Sequence, residues 1–150
     1  MILRPAEDAD LPQILAMAEE GTGESAFEGT FNRERAIAYL RAYMHWSEAS
    51  AIVAVEGSEI LGGYAAVSSY EMWDEPLCGL LKFWVKPSAR RSPVARALVD
   101  HVIAFAAQTE CLSIYVSASA QLTTAQQRLF ENLMKGAGFE YAGVIMKRNL

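Results

Sequence analysis

The sequence predicts an α/β (α+β) fold in which a mixed sheet of about seven strands carries helices on both faces. Two observations lead to this prediction. Segments of strand and helix character follow one another in the order β-α-α-β-β-β-α-β-α-β-β. The three central strands form a meander, whereas later strands are reached through helices, so antiparallel and parallel neighbours should share one sheet.

The first third of the chain contains one strand and two helices. Residues 3–6 have the character of a short strand, and Asp8 or Asp10 opens a helix that runs to about residue 20. Gly, Ser, Thr and Glu dominate residues 21–30, which predicts a loop. A second helix is predicted over 32–45. One face of it carries its candidates for burial, Ala36, Tyr39, Leu40 and Tyr43.

A hairpin and a third strand form the predicted centre of the sheet. Strands are predicted over 50–55 and 60–69, and the turn-forming sequence Glu-Gly-Ser-Glu at 56–59 joins them. Residues 77–85 are apolar on both faces except for Lys82, which is typical of a central strand.

The last third of the chain alternates helices with strands. A helix is predicted over 93–107, a strand over 112–116 and another helix over 124–135. Residues 139–142 and 144–147 then have the apolar character of two closing strands. These two complete the expected total of about seven strands.

Size and composition exclude several classes of protein. The chain has 150 residues, of which 52% are hydrophobic, and this suits a single domain over residues 1–150. The net charge of -5 argues against nucleic acid as the main partner. One of the longest apolar runs, 102–107, is too short to cross a membrane. The start lacks a signal-peptide pattern, and Cys78 and Cys111 lack metal-ligand spacing, so we expect a cytoplasmic protein with reduced thiols.

Positive charge is concentrated where the central strand meets a helix. Five of the 13 basic residues fall between Glu75 and Asp100, with no acid among them. Ser92 and Pro93 suit the first positions of a helix, whose free N–H groups attract anions. The segment therefore predicts a phosphate-binding site or a solvated loop before a capped helix, and its place at a strand's carboxyl end favours the site. The five residues are Lys82, Lys86, Arg90, Arg91 and Arg96.

The same segment resembles the signature of the GNAT superfamily of acyl-CoA-dependent N-acetyltransferases. In that signature a strand is followed by V-x-P-x-x-R-x-x-G-x-G/A and a helix. The matching positions here are Val85, Pro87, Arg90 and Ala95. Leu3-Arg4-Pro5-Ala6 with Asp10-Leu11, and the late Gly138-Phe139, are similar to further parts of the family pattern. The resemblance spans nearly the whole chain and implies a GNAT-like, mostly antiparallel central sheet.

The resemblance also implies acetyl-CoA as the acetyl donor. Its pantetheine arm would lie beside residues 83–85 and its pyrophosphate on the backbone amides of residues 90–95, within reach of nearby arginines. The implied donor-binding residues are Phe83, Trp84, Val85, Arg90, Arg91, Ser92, Pro93, Val94, Ala95 and Arg96. Pro93 departs from the pattern, because it replaces the first Gly and removes an amide donor. We expect Arg91 and Ser92 to compensate by charge and by hydroxyl.

The sequence offers one group of candidates for the general base. Many relatives carry an acid on the strand that here ends at Val85, and this strand has none. Glu75 is therefore the nearest candidate, with Asp74 and Glu71 beside it in the preceding segment. A backbone N–H near Val85 would stabilise the oxyanion.

The general acid is a separate question. The Tyr that relatives commonly place ahead of Gly-Phe corresponds to Met134, or to Phe130 if the helix is shifted by about a turn, and neither donates a proton. Tyr115 and Tyr141 are the candidates that remain, and water is the alternative.

The leading prediction is transfer of an acetyl group from acetyl-CoA to a small-molecule or peptide amine by direct attack. One alternative is a catalytically degenerate GNAT-fold module that binds CoA or a partner, and another is an unrelated α/β phosphate-binding domain. Apolar residues 144–146 would permit a homodimer through terminal strands. Acidic residues around the first loop suggest a cationic acceptor; they are Glu19, Glu20, Glu24 and Glu28.

Overall fold

The structure is a computed structural model that describes residues 1–23, 30–71, 74–116 and 124–143. The strands in this part are β1 (Ile2–Pro5), β2 (Ala49–Glu56), β3 (Glu59–Ser69), β4 (Leu77–Val85) and β5 (Ser113–Val116). The helices are α1 (Leu11–Gly23), α2 (Arg33–His45), α3 (Val94–Gln108) and α4 (Thr124–Gly136). Short 3₁₀ turns, Asp8–Asp10 and Pro87–Ala89, follow β1 and β4. No helix in these ranges is long and apolar enough to cross a bilayer.

The five strands form one sheet in the order β1-β2-β3-β4-β5. The first four strands are antiparallel neighbours, and β5 pairs in parallel with β4 after the crossover through α3. The prediction of a mixed, mostly antiparallel sheet is therefore confirmed. The predicted number of about seven strands is wrong for the part of the chain that the structure describes, which has five.

The end of α4 explains one of the two missing strands. Residues 139–142 are not a strand: the N–H of Phe139 donates to the carbonyl of Met134 at 3.0 Å and closes the helix. Gly138 supplies the left-handed turn this requires, with φ of 89°. Phe139 packs against the core at this helix end, which accounts for the apolar character that suggested a strand. The second predicted closing strand, 144–147, lies outside the described residues.

Helices cover both faces of the sheet, as predicted. On one face, α3 and α4 pack over a core that includes Ile52, Tyr64, Leu80, Leu98 and Val102. On the other face, α1 contributes Met17 to a smaller cluster with Val53, Val55 and Ile60. We refer to these as the α3 face and the α1 face. The alternation of Ile52 and Val53 between the two faces follows from the period of two in a strand.

A bulge in β4 changes which of its residues point to each face. Ala66 pairs with Leu80 and Ala65 pairs with Lys82, so Leu81 is an extra residue on β4. Before the bulge the even-numbered Leu80 faces α3, and after it the odd-numbered Phe83 and Val85 do. Lys82 and Trp84 are thereby placed towards the α1 face.

Candidate functional site

The site begins where β4 and β5 separate. The two strands pair only over Leu77–Leu80 and residues 113–116, whereas β4 continues to Val85. Within the described ranges, residues 81–85 therefore have no neighbouring strand on this edge. An open strand edge offers backbone N–H and C=O groups to a ligand.

A cavity of about 890 Å³ occupies this gap and is lined from both faces of the sheet. From the α3 face come Phe83, Val85 and Phe130, with the rings of Phe83 and Phe130 6.1 Å apart. From the α1 face come Lys82 and Trp84. The cavity thus connects the two faces through the gap in the sheet.

The turn after β4 brings three signature positions to one end of the cavity. Val85, Arg90 and Ala95 all line it. The Nε of Arg90 donates to the carbonyl of Val85 at 3.1 Å, which holds the guanidinium at the end of β4.

The start of α3 differs slightly from the prediction. Pro93 has helical backbone angles, φ of -65° and ψ of -8°, and the first helical residue is Val94. The N-cap position is therefore Pro93, one residue later than predicted and without a side-chain cap, while the Oγ of Ser92 accepts from the N–H of Val94 at 3.3 Å. In the described residues, the N–H groups of Ala95 and Arg96 donate to no acceptor. These two amides remain available to an anion.

The predicted cluster of five cations is divided by the fold. Lys86 forms an ion pair with Glu59. Arg96 pairs with Asp100 at 2.8 Å and donates to the carbonyl of Gly136. Arg91 is exposed and Lys82 faces the opposite side of the sheet. Arg90 and Arg91 are consequently the cations best placed for a ligand at the start of α3.

The predicted proton-transfer groups lie away from the larger cavity. Glu75 and Asp74 are exposed in the loop before β4 and line neither cavity described here. Glu71 and Tyr115 line a second, smaller cavity of about 470 Å³. Tyr115 is 55% exposed on β5, and Tyr141 is 70% exposed after α4.

The smaller cavity adjoins the larger one. Both are lined by Tyr43 of α2 and by the bulged Leu81 of β4. Glu71 and Tyr115 therefore lie close to the large cavity on its α1 side.

Phe130 takes the cleft position that the resemblance assigned to a Tyr. Met134, the other position considered, is 5% exposed and belongs to the core. Phe130 lines the cavity one helical turn earlier. Neither Phe130 nor Met134 can donate a proton, so the site has no proton donor at either of these positions.

Residues of α2 and β4 form a part of the site that the sequence did not predict. Arg35, Tyr39, Leu40 and Tyr43 line the cavity opposite Lys82, and we call these five residues the aromatic chamber. The prediction that α2 buries one face is wrong, since no residue of α2 is buried in the structure. Its apolar stripe faces the cavity instead of the core. Tyr residues at i and i+4 were the available signal, and the same spacing is typical of core packing.

One hydrogen bond links the two tyrosines of the chamber. The hydroxyl of Tyr43 donates to that of Tyr39 at 3.1 Å, and their rings are 4.6 Å apart. Partial removal from water, followed by the hydrogen bond from Tyr43, raises the pKa of Tyr39 to about 12, although this residue stays 41% exposed. Tyr39 is therefore a neutral phenol at physiological pH.

Tyr64 extends from β3 on the other face. Its hydroxyl lies 2.9 Å from Ser50 Oγ and 2.8 Å from His101 Nδ1. Burial raises the pKa of Tyr64 to about 12. His101 is thus a hydrogen-bond partner of a buried phenol.

A family model and a set of solved structures both match the chain. The model of the acetyltransferase (GNAT) family matches residues 20–135. No curated protein sequence matches the chain at a significant level.

Solved structures give the same fold at low identity. An acetyltransferase from Trypanosoma brucei has a TM-score of 0.76 at 15% identity, over 99% of each chain. The aminoglycoside 6'-N-acetyltransferase AAC(6')-Ig from Acinetobacter haemolyticus has a TM-score of 0.74 at 16% identity, over 100% of this chain and 98% of that one. AAC(6')-Iy, solved with the bisubstrate analogue CoA-S-monomethyl-acetylneamine, has a TM-score of 0.75 at 16% identity, over 99% and 97%.

Proposed function

Since the chain belongs to the GNAT family of acetyltransferases, we propose that it transfers an acetyl group from acetyl-CoA to an amine by direct attack. The observation that supports this most is the cavity through the sheet, with the signature residues at one end and the aromatic chamber at the other. Donor and acceptor can then meet at the gap between β4 and β5. Family membership excludes the alternative of an unrelated phosphate-binding domain.

The residues around the gap fit the donor. The open edge formed by residues 81–85 can pair with the amides of a pantetheine arm, beside the rings of Phe83 and Trp84. The amides of Ala95 and Arg96, with Arg90 and Arg91, can hold the phosphates. Pro93 has no N–H and that of Val94 is taken by Ser92. With fewer amide donors than the family signature implies, binding of the phosphates would depend more on the charges of the arginines.

Acetyl-CoA supplies an activated thioester when it is bound. In direct attack the amine nitrogen forms a bond to the acetyl carbon, the carbon–sulfur bond breaks, the amine loses a proton and the thiolate gains one. We propose that a backbone N–H near Val85 stabilises the oxyanion. Of the predicted proton-transfer groups, Tyr115 with Glu71 is favoured over Glu75, because these two line the adjoining cavity. Water in the cavity is the alternative carrier.

Thermal unfolding of the purified protein with acetyl-CoA, CoA or ATP tests the donor site. A ligand that binds the native state raises Tm by mass action, so saturating acetyl-CoA and CoA should each raise Tm by several degrees while ATP does not. Arg90→Ala should weaken this response by removing a phosphate contact. Lys135→Ala, on the exposed end of α4, should respond like the parent protein. No response of the parent protein to acetyl-CoA would contradict the proposal.

A degenerate module that binds CoA without turnover is the second candidate, and Pro93 with Phe130 favours it. Measuring the thiol released from acetyl-CoA in the presence of a panel of amines distinguishes the enzyme from the module. Amine-dependent release identifies an enzyme. CoA-dependent stabilisation with no release for any amine supports the module.

A further inference from the structure

The aromatic chamber has a positive lining. Arg35 and Lys82 are its charged members. Among the described residues that line the whole cavity there is no Asp or Glu, and Arg90 at the opposite end is the remaining charge. The rest of the chamber consists of tyrosine rings and Leu40. Its chemistry is therefore cationic and apolar.

The charge of Lys82 is not neutralised within the described part of the chain. Its Nζ lies 5.6 Å from the centre of the Tyr39 ring, which is a cation–π contact. No described carboxylate lies within ion-pair distance of Lys82 or Arg35. Both cations are free to meet an anion that enters the chamber.

Three of the acids on the neighbouring elements form ion pairs, whereas Glu20 and Glu34, exposed on α1 and α2, line neither cavity. Asp8 pairs with Arg41 at 2.8 Å, Asp10 with Arg4 at 2.7 Å and Glu19 with Arg33 at 3.3 Å. These acids do not line the cavity. The suggestion of a cationic acceptor rested on the acidic residues around the first loop, of which Glu24 and Glu28 lie outside the described residues.

We infer that the acceptor is an amine that also carries a carboxylate and an apolar or aromatic body, with the carboxylate at Lys82 and Arg35. This inference rests on the proposed function and defines its substrate class. Positive charge that lines a concave site raises the local concentration of anions. A polycation such as an aminoglycoside would meet like charge in the same place. Free amino acids and short peptides both offer the required chemistry.

Matched acceptors isolate the contribution of the carboxylate. Leucine, phenylalanine and tryptophan would each be compared with the corresponding amide, by thiol release at saturating acetyl-CoA. Glycyl-phenylalanine, in which the amine is farther from the carboxylate, distinguishes a peptide from a free amino acid, and kanamycin represents the polycations. We expect kcat/KM to be about tenfold or more higher for the acid than for its amide. Equal or higher values for the amides or for kanamycin, or no acetylation of any acid, would overturn the inference.

Substitutions of Lys82 test whether this residue recognises the carboxylate of the acceptor. Lys82→Met should raise KM for the acids about tenfold more than KM for the amides, and Lys82→Glu should make the amides the better substrates. Lys135→Met on α4, outside both cavities, is the matched control and should preserve the preference. An equal loss for acid and amide would indicate a purely structural role and contradict the inference.

The inference and the proposed function fail in different ways. Stabilisation of each variant by acetyl-CoA reports the donor site, because Lys82 contributes only its backbone to the edge at residues 81–85 and its side chain lies over Tyr39 in the aromatic chamber. A parent protein that responds to acetyl-CoA but shows no preference for acids contradicts only the substrate class. Stabilisation of the CoA complex by N-acetyl-phenylalanine, and not by its amide, supports the substrate class without requiring turnover.

Discussion

At the scale of single residues, Asp10 shows how a buried charge is held. It is 5% exposed, and its carboxylate accepts from both terminal nitrogens of Arg4, at 2.7 and 2.8 Å, and from the N–H of Glu7 at 2.8 Å. The hydrogen bonds from Arg4, followed by the one from Glu7, lower the pKa of Asp10 below its ordinary 3.8 against the opposing effect of burial. The pair joins the end of β1 to the start of α1.

Asp10→Asn should therefore lower the free energy of unfolding at neutral pH by about 2 kcal/mol. The pKa of Asp10 is depressed in the folded state, so its contribution is present above the unfolded pKa and disappears as pH falls through the folded value. The difference in Tm between the parent protein and the variant should narrow below about pH 4, as measured by calorimetry from about pH 7 to about pH 3.

Asp100→Asn is the control for this change. Asp100 pairs with Arg96 on the exposed face of α3, and such pairs contribute only about 0.3–0.5 kcal/mol. A constant difference in Tm between the parent protein and Asp10→Asn across the pH range would contradict the assignment of a stabilising ionised carboxylate.

At the scale of elements, a side-chain oxygen accepts from a backbone N–H at the start of both α2 and α3, in different surroundings. The Oδ1 of Asn32 accepts from the N–H of Arg35 at 2.9 Å at the start of α2. The Oγ of Ser92 accepts from Val94 and donates to the carbonyl of Ala89 at 2.7 Å, at the start of α3. Only the Ser92 hydroxyl lies in the turn that precedes the free amides of Ala95 and Arg96.

Asn32→Ala and Ser92→Ala should each lower the free energy of unfolding by about 1 kcal/mol, because each removes an oxygen that accepts from a backbone N–H at the start of a helix. Their effects on the donor should differ: Ser92→Ala should reduce the rise in Tm with acetyl-CoA, while Asn32→Ala should not. Chemical denaturation with and without acetyl-CoA measures both quantities. An unchanged response of Ser92→Ala would show that the turn does not depend on this hydroxyl.

At the scale of the whole molecule, the cavity brings the proposed donor residues and the aromatic chamber together. It is lined from both faces of the sheet, and none of its described lining residues is a cysteine or serine that could carry the acetyl group. We therefore expect initial rates, measured over both substrate concentrations, to give intersecting double-reciprocal lines, as for a ternary complex. Parallel lines would point to a covalent acetyl-enzyme and contradict direct attack.

Much of the fold could be predicted because the signals are local. The strand predicted over 77–85 coincides with β4, and the other described strands and helices begin within a few residues of their predicted positions. The strand predicted over 139–142 was wrong because an apolar residue that seals a helix end resembles one in a strand. Residues of the donor segment are contiguous, so Val85, Arg90 and Ala95 could be grouped from sequence alone.

The aromatic chamber could not be predicted in the same way. It joins α2 to Lys82 of β4, which is about forty residues away in sequence. The sequence marked Lys82 as an exception in an apolar strand. The direction of the Lys82 side chain depends on the extra residue in β4. No local sequence pattern indicated this bulge. The positions of Glu75 and Tyr115 relative to the cavity likewise depend on long-range pairing.

The extra residue in β4 has a consequence for how this chain can tolerate changes in length. Loss of one of residues 82–84, with the bulge retained, would turn the residues that follow it to the opposite face of the sheet, because side chains alternate along a strand. The hairpin at Gly57 lies in the same sheet, but its turn is exposed and can lengthen without shifting β4. We therefore expect homologous chains to vary in length at the hairpin and to conserve length between Leu81 and Val85.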